Sequence, residues 1–384
     1  MVVCHLIASG FAGGPEKQII EQSTRLAEFG WSVVVGSFRE NRSSVELVDN
    51  AKQRNIPTFL IDTKSPFSPA AVFQLKRALR RFHVDLLVTH GYKPTIVGHL
   101  ARAGSRVVQV PMVRGYTAED WKVRIYEAID RWFLKRFRMV ICVSAATAKL
   151  MAGYGVKPDR IKVIHNAVNC EGDVTPADLH KEFDIPSRFQ VIVAAGRLSP
   201  EKGHRYLVDA VKILVDSGFP VCLLLLGAGK ELPRLERQVA EANLGEHVVF
   251  GGFRKPILPY LAGADLVVNP SETEGLPNVV LEALSVRTPV VATDVGGVGE
   301  IITSGKTGWL VPPAQIQSLA DAIKHAIENP FKASAVIENG YKLIKDSFSF
   351  SYQVAQFADL YSNLIRLSGP SSVDGVELRR KVKS

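Results

Sequence analysis

Glu274 and Glu282 stand eight positions apart, with Gly-Leu-Pro-Asn-Val-Val-Leu between them. Gly275 permits a tight turn, and Pro277 suits the first position of a helix, where no intrahelical N–H is needed. Asn278 to Leu284 reads as an apolar helix, leaving Glu274 on the loop and Glu282 more than a turn inside. The amides at such a start point outward at the positive end of the helix dipole, where a phosphate is stabilised. Amides flanked by two carboxylates suit a ligand with hydroxyls at both ends and phosphate between them, as in a nucleotide sugar. Taken alone, the pattern fits an ordinary strand-to-helix junction with two solvated glutamates equally well.

Further runs accompany it. Val193-Ala-Ala-Gly196-Arg197-Leu-Ser-Pro-Glu-Lys202-Gly203 is a strand entering a glycine turn, with two cations five positions apart. Fixed cations at such a place stabilise charge developing on a leaving diphosphate. Leu223–Gly229, Val248–Phe253 and Pro289–Gly297 are three more apolar strands ending in glycines. In order and spacing these runs closely resemble the family 4 glycosyltransferases of the GT-B fold. The resemblance extends from Ser9-Gly-Phe-Ala-Gly-Gly-Pro-Glu16 to Thr307-Gly-Trp-Leu-Val-Pro312 and covers most of the chain.

The resemblance implies an α/β protein of two Rossmann-like parallel-sheet domains facing a deep cleft. It implies retaining, metal-independent transfer of a sugar from a nucleotide-diphosphate donor, UDP- or GDP-linked, to a glycan or lipid-linked acceptor, with no cofactor. By the same resemblance Arg197 and Lys202 clamp the leaving diphosphate. Glu274 contacts donor-sugar hydroxyls, and Glu282 the ribose hydroxyls. The amides of Gly275, Leu276, Asn278 and Val279 hold sugar and phosphate; Pro277 has no N–H to give.

Gly13 and Gly14 let the backbone of the first strand–helix loop approach a ligand, at the carboxyl edge where open α/β sheets bind. The loop lacks the GxGxxG spacing, which weakens a dinucleotide reading; the family places donor phosphates and acceptor there. His90 follows a buried strand and is the site histidine by resemblance, facing the sugar near its anomeric carbon. The family often has a second histidine two positions earlier, where this chain has Val88. Gly296, Gly297 and Glu300 are expected to line the base or sugar end, and His165 and Asn166 to be structural.

Two domains must position these groups, and 384 residues suffice for two cores. Strands alternate with helices throughout, which predicts parallel sheets covered on both faces. Expected strands in the first half are Val2–Ala8, Trp31–Gly36, Pro57–Ile61, Leu86–Thr89, Val107–Val113 and Met139–Val143. In the second they are Val191–Ala195, Val221–Leu226, Val248–Phe250, Leu266–Asn269 and Val290–Thr293. The first domain is placed at 1–170 and the donor domain at 171–345. A helix over about 350–367 crosses back to the first domain, and 368–384 is read as a disordered tail.

Charge divides the same way. Residues 1–170 carry 25 Lys and Arg against 13 Asp and Glu; residues 171–366 carry 18 against 23. A basic first half implies an anionic partner for that half, such as a phospholipid surface or pyrophosphate-linked acceptor. Asp120–Arg138 is basic, aromatic and helical in period, a pattern that suits a membrane surface. It equally suits ordinary packing through Ile125, Ile129 and Phe133.

No apolar run reaches the ~18–20 residues that span a bilayer, and Val2–Ala8 reads as a strand rather than a leader. Cys4, Cys142, Cys170 and Cys222 are scattered without metal-ligand spacing, as expected of thiols in the cytoplasm. A peripheral position at the inner face of the membrane is a further expectation. No metal site and no nucleic-acid platform is visible. Gly305-Lys306-Thr307 is not a phosphate-binding P-loop, because Glu300 stands where its first glycine belongs. A sugar-nucleotide epimerase and a non-catalytic sugar-nucleotide-binding subunit remain alternatives; intact Arg197, Lys202, Glu274 and Glu282 argue against the latter.

Overall fold

The computed structural model describes residues 1–8, 13–40, 45–63, 68–115 and 121–367. The loop residues Ser9 to Ala12, Asp120 and the expected tail from Ser368 lie outside the described residues.

Among the described residues, thirteen strands form two sheets. The first contains β1 (Val2–Ile7), β2 (Ser32–Glu40), β3 (Thr58–Thr63), β4 (Leu86–His90), β5 (Val108–Val113), β6 (Val140–Cys142) and β7 (Ile161–Val163). Their order is β3-β2-β1-β4-β5-β6-β7. The second contains β8 (Gln190–Ala195), β9 (Val221–Leu226), β10 (Val248–Phe250), β11 (Leu266–Asn269), β12 (Val290–Thr293) and β13 (Trp309–Val311), in the order β10-β9-β8-β11-β12-β13. Every pairing is parallel. Parallel strands need helical crossovers that cover both faces, so central strands are apolar along their whole length. All six residues of Val221–Leu226 are buried accordingly. The GT-B expectation of two Rossmann-like sheets therefore holds.

Two edge strands escaped the sequence reading. β7 and β13 have three residues each, too few to display a period beside the loops that carry them. The helix Asn278–Ser285 starts where the apolar run Asn278–Leu284 places it, but without Pro277 as its first residue. Pro277 is extended (φ −74°, ψ 117°) and stands before the first turn instead of in it.

One core joins the sheets. It runs from Val88 and Val110 through Ile164 and Val168 to Val193, Val280, Phe357 and Tyr361. The helix Phe350–Arg366, capped by Ser349, lies on the helix Gly14–Leu26 of the first half. Gln22 Nε2 donates to Gln353 Oε1 at 2.9 Å, and Tyr361 meets Trp31 edge-on at 5.8 Å.

Of the residues expected to pack the helix Trp121–Leu134, Phe133 lies against the first-domain core and edge-on to His99 at 5.1 Å, the side chain of Ile125 lies outside the described residues, and Ile129 is 40% exposed; Trp132 is 54% exposed, while Glu127, Asp130 and Leu134 are buried. No helix among the described residues is long and apolar enough to cross a membrane.

Candidate active site

The chain enters each sheet near its middle, winds outward in one direction, then returns to wind the other way. Such a reversal opens a crevice at the carboxyl ends of the two central strands, where doubly wound sheets bind ligands. In the first sheet those strands are β1 and β4; in the second they are β8 and β11. The Gly13–Gly14 loop follows β1, and His90 ends β4. Arg197 and Lys202 follow β8, and Glu274 follows β11. Topology thus brings together the four places that the sequence picks out separately.

Lys202 closes a 3-10 turn, Pro200–Lys202, with its Nζ 2.6 Å from Glu274 Oε1. Ser271 Oγ donates to the same oxygen at 2.7 Å. Both bonds fall on Oε1, leaving Oε2 without a protein donor among the described residues. The Glu274 side chain is only 8% exposed, so the ammonium and hydroxyl compensate a charge that burial alone would penalise. Gly203 has φ +65°, and a Cβ there would meet the Pro270 carbonyl oxygen at 2.1 Å; only glycine lets the two loops touch. Arg197 is half-exposed and paired to Glu201 at 2.8 Å, where a ligand phosphate can compete for it.

The helix Asn278–Ser285 begins beside this pair. The first-turn amides of Asn278 and Val279 have no intrahelical acceptor, as at any helix start. Leu276 is buried, and its carbonyl accepts from Asn166 Nδ2 at 3.0 Å; the Gly275 carbonyl accepts from Gly297 N at 3.0 Å. Turning both carbonyls inward fixes the strand-to-helix turn. Asn278 Oδ1 is buried without a partner, an acceptor awaiting a donor.

The first domain closes directly over this turn. A Cβ on Gly14 would fall 2.5 Å from Asn278 Nδ2, and one on Gly275 would fall 1.9 Å from the Arg114 carbonyl oxygen. Lys17, one turn into the helix Gly14–Leu26, places Nζ 2.5 Å from Glu282 Oε1. The sequence reading missed Lys17; its only signal was a position one turn past the glycines. An ion pair this open is worth about 0.2–1 kcal/mol. Lys17→Ala should therefore raise the donor KM no more than about fivefold at unchanged kcat. Steady-state kinetics check this, and a tenfold fall in kcat would instead place Lys17 among the groups that act on the transition state.

His90 is buried at the end of β4, with Nε2 3.1 Å from His5 Nδ1 and the two rings stacked. Burial first, then the Arg114 charge and His5, holds its imidazole well below the usual range. His5 is pushed down to about 3 by burial and Arg114. Both rings are neutral at neutral pH, so His90 can share a hydrogen bond without supplying a charge. His90 Nδ1 has no partner among the described residues. No contact joins His90 to Lys202 or Glu274; Arg114 stands between, its carbonyl against Gly275 and its guanidinium on Asn166 Oδ1 at 3.0 Å.

Glu300 does not stand where the sequence placed it. Its carboxylate accepts from the amides of Ala145 and Ala146 at 2.8 and 3.1 Å, and pairs with His165 Nε2 at 2.8 Å. It caps the first-domain helix Ala145–Gly153 and links the two sheets instead of facing a ligand. His165, through Glu300, and Asn166, through the Leu276 carbonyl, each bond across from the first sheet's side to the second's.

Residues 177–343 match the model of Glycosyl transferases group 1, and residues 12–171 that of Glycosyltransferase Family 4. The 2-deoxystreptamine glucosyltransferase of Streptomyces kanamyceticus is 28% identical over 369 residues, covering 86% of this chain and 94% of that protein. The UDP-Gal:alpha-D-GlcNAc-diphosphoundecaprenol alpha-1,3-galactosyltransferase of Escherichia coli is 23% identical, covering 83% and 86%. The crystal structure of Anabaena HepE in complex with UDP-glucose superposes with a TM-score of 0.83 at 25% identity, covering 94% of this chain and all of that one. Matching models over both halves, two sheets in the GT-B arrangement and the site motifs at their switch points agree: the chain belongs to the family 4 glycosyltransferases of the GT-B fold.

Proposed function

We propose that the protein transfers a sugar, with retention of anomeric configuration, from a UDP- or GDP-linked donor to a glycan or lipid-linked acceptor. The observation that carries this reading is the Lys202–Glu274 pair beside the Asn278 helix start, with Gly14 and Lys17 closing over it. The donor diphosphate lies along the first-turn amides, between Arg197, Lys202 and the Gly13–Gly14 loop. Glu274 Oε2 accepts from sugar hydroxyls, and Glu282 turns from Lys17 to the ribose. As the anomeric C–O bond breaks, its electron pair passes to the β-phosphate, and the two cations stabilise that charge without reorganising. The acceptor hydroxyl attacks from the same face and gives its proton to the departing phosphate oxygen. No water is needed between the glutamates, which separates this site from a glycosidase pair.

Support for metal independence comes from the donor set. Two fixed cations face the diphosphate, and no group of three His, Cys, Asp or Glu among the described residues is placed to hold an ion. The relative that uses a diphosphoundecaprenol-linked sugar and the basic first half support a lipid-linked acceptor on the cytoplasmic side. The relative named for 2-deoxystreptamine supports a small soluble acceptor as the second reading.

Incubating the purified protein with UDP-glucose, UDP-N-acetylglucosamine or GDP-mannose tests the reading. Slow release of nucleoside diphosphate without acceptor, undiminished by chelator, is the expected result, with NMR showing the donor's anomeric configuration in the transferred sugar. Activity abolished by chelator and restored by Mg²⁺ or Mn²⁺ overturns the metal-independent part. An inverted product overturns retention.

A further inference from the structure

Glu300 ends the 3-10 turn Val298–Glu300 on the second domain, yet its carboxylate takes three bonds from the first. The leading amides of the helix Ala145–Gly153 have no intrahelical acceptor, as at any helix start. Ser144 caps the third of them, accepting from Thr147 N at 3.1 Å. The first two, Ala145 and Ala146, donate to Glu300 Oε2 and Oε1 at 2.8 and 3.1 Å. A carboxylate is favoured there twice, by charge-assisted bonds and by the positive end of the helix dipole.

Oε2 also meets His165 Nε2 at 2.8 Å. His165 is itself held: its carbonyl accepts from Gln353 Nε2 on the helix Phe350–Arg366, and its ring tilts against Phe348 at 5.1 Å. Burial would raise the pKa of the Glu300 carboxyl, but His165 and the two amides hold it below the usual range. The side chain is 23% exposed, so these bonds can part and re-form without opening a core.

The same loop backs the site turn. Gly297 N donates to the Gly275 carbonyl at 3.0 Å. A Cβ on Gly296 would stand 1.8 Å from the Glu274 carbonyl oxygen. One on Gly297 would stand 2.5 Å from the Gly275 carbonyl oxygen and 2.6 Å from Ser144 Cβ. The two glycines let the loop lie flat between the turn that carries Glu274 and the helix start that Glu300 grips. A shift at that grip therefore passes to the turn through backbone, with no side chain to absorb it.

We propose that Glu300 is a positioning residue: its clasp on Ala145, Ala146 and His165 fixes the Gly296–Gly297 loop against the first domain and thereby sets the place of Glu274. Its effect on turnover rests on the transferase reading; the clasp and its reach to the site turn do not.

Amide exchange of the full chain, followed by NMR, reads the clasp directly. Glu300→Gln keeps the shape, but a carboxamide has one oxygen and its NH2 opposes any amide it faces. In this variant the amides of Ala145 and Ala146 should exchange about tenfold faster, and that of Gly297 should follow. Thr147 keeps its bond to Ser144 and should keep its rate. In hydrolysis of UDP-glucose, kcat should fall about tenfold at a KM changed less than about twofold, because Arg197, Lys202 and the Asn278 amide stay together on one domain.

Ala145→Pro is the second variant. Proline suits the first helical position after the extended Ser144 and lacks the N–H, so one arm is deleted without touching the second domain. It should give the same split at about threefold. Glu338→Gln, an exposed carboxylate paired with Arg287, should change none of these rates. Should Glu300→Gln not fold, the readings at Ala146 and Gly297 in Ala145→Pro decide. Unchanged exchange at Ala145 and Ala146 in Glu300→Gln overturns the clasp. A Gly297 amide as slow as in wild type beside two fast ones overturns its reach to the site turn. Wild-type kcat in both variants, or a KM rise that accounts for the whole loss, overturns the positioning role. Faster exchange at all three amides, in a protein that hydrolyses no nucleotide sugar, leaves the clasp standing and sinks the transferase reading instead.

Discussion

Alanine at Arg197 or at Lys202 is expected to remove roughly 2–4 kcal/mol of transition-state stabilisation, about 30- to 1,000-fold in kcat/KM. On the proposed reading each cation faces the place where the diphosphate gains charge as the sugar departs, and water is a poor substitute for a preorganised donor. The two variants should differ in stability. Arg197 is 48% exposed with Glu201 as its partner, so its loss should leave the melting temperature nearly unchanged. Lys202 is 25% exposed and neutralises Glu274, which would keep only Ser271. Stripping one partner from a pair this buried costs on the order of 1–3 kcal/mol, discounted for the partial exposure of the lysine. Kinetics together with thermal melts therefore give a paired reading: rate loss alone for Arg197→Ala, rate and stability loss for Lys202→Ala. Turnover within threefold of wild type in both variants would remove them from the phosphate clamp.

Gly275→Ala should be at least as damaging, for a reason unrelated to charge. The added methyl would stand 1.9 Å from the carbonyl oxygen of Arg114 and 2.9 Å from its carbon. Both are backbone atoms at the end of β5, on the other domain, so no side chain can swing aside. The domains must part, or the turn carrying Glu274 must move, and a displacement of about 1 Å at a reacting centre costs on the order of a hundredfold. We expect kcat/KM to fall a hundredfold or more while the circular dichroism spectrum is preserved, because each sheet keeps its own strands. Gly245→Ala is the matched control: nothing lies within 4 Å of its added methyl and its φ is ordinary, so activity should not change. Wild-type activity in Gly275→Ala would show that the closed contact between Gly275 and Arg114 is not needed for turnover.

Much of the second half was legible because its signals are local. A run such as Val221–Leu226 is apolar at every position, which marks a central parallel strand. The glycines after β8 mark a turn that backbone must approach closely. The Glu274–Glu282 spacing survives folding because a turn and one helical segment set it, without help from distant residues. The first half was harder to read at its site, since His90 acquires its surroundings from His5 and Arg114, on two other strands.

The sequence by itself determined the alternation of strands and helices, the two-domain plan and the residue types at each loop. Those depend on periodicity and turn chemistry within a few residues. Only tertiary structure decided which loops face each other, because strand order in a parallel sheet is set by crossovers and not by neighbours along the chain. It paired Lys17 with Glu282 across 265 positions, gave Glu300 to the helix start at Ala145, and set His90 against His5 on a neighbouring strand. Each of these is a contact between segments remote in sequence, where the energy of meeting lies in packing and charge that no local pattern records.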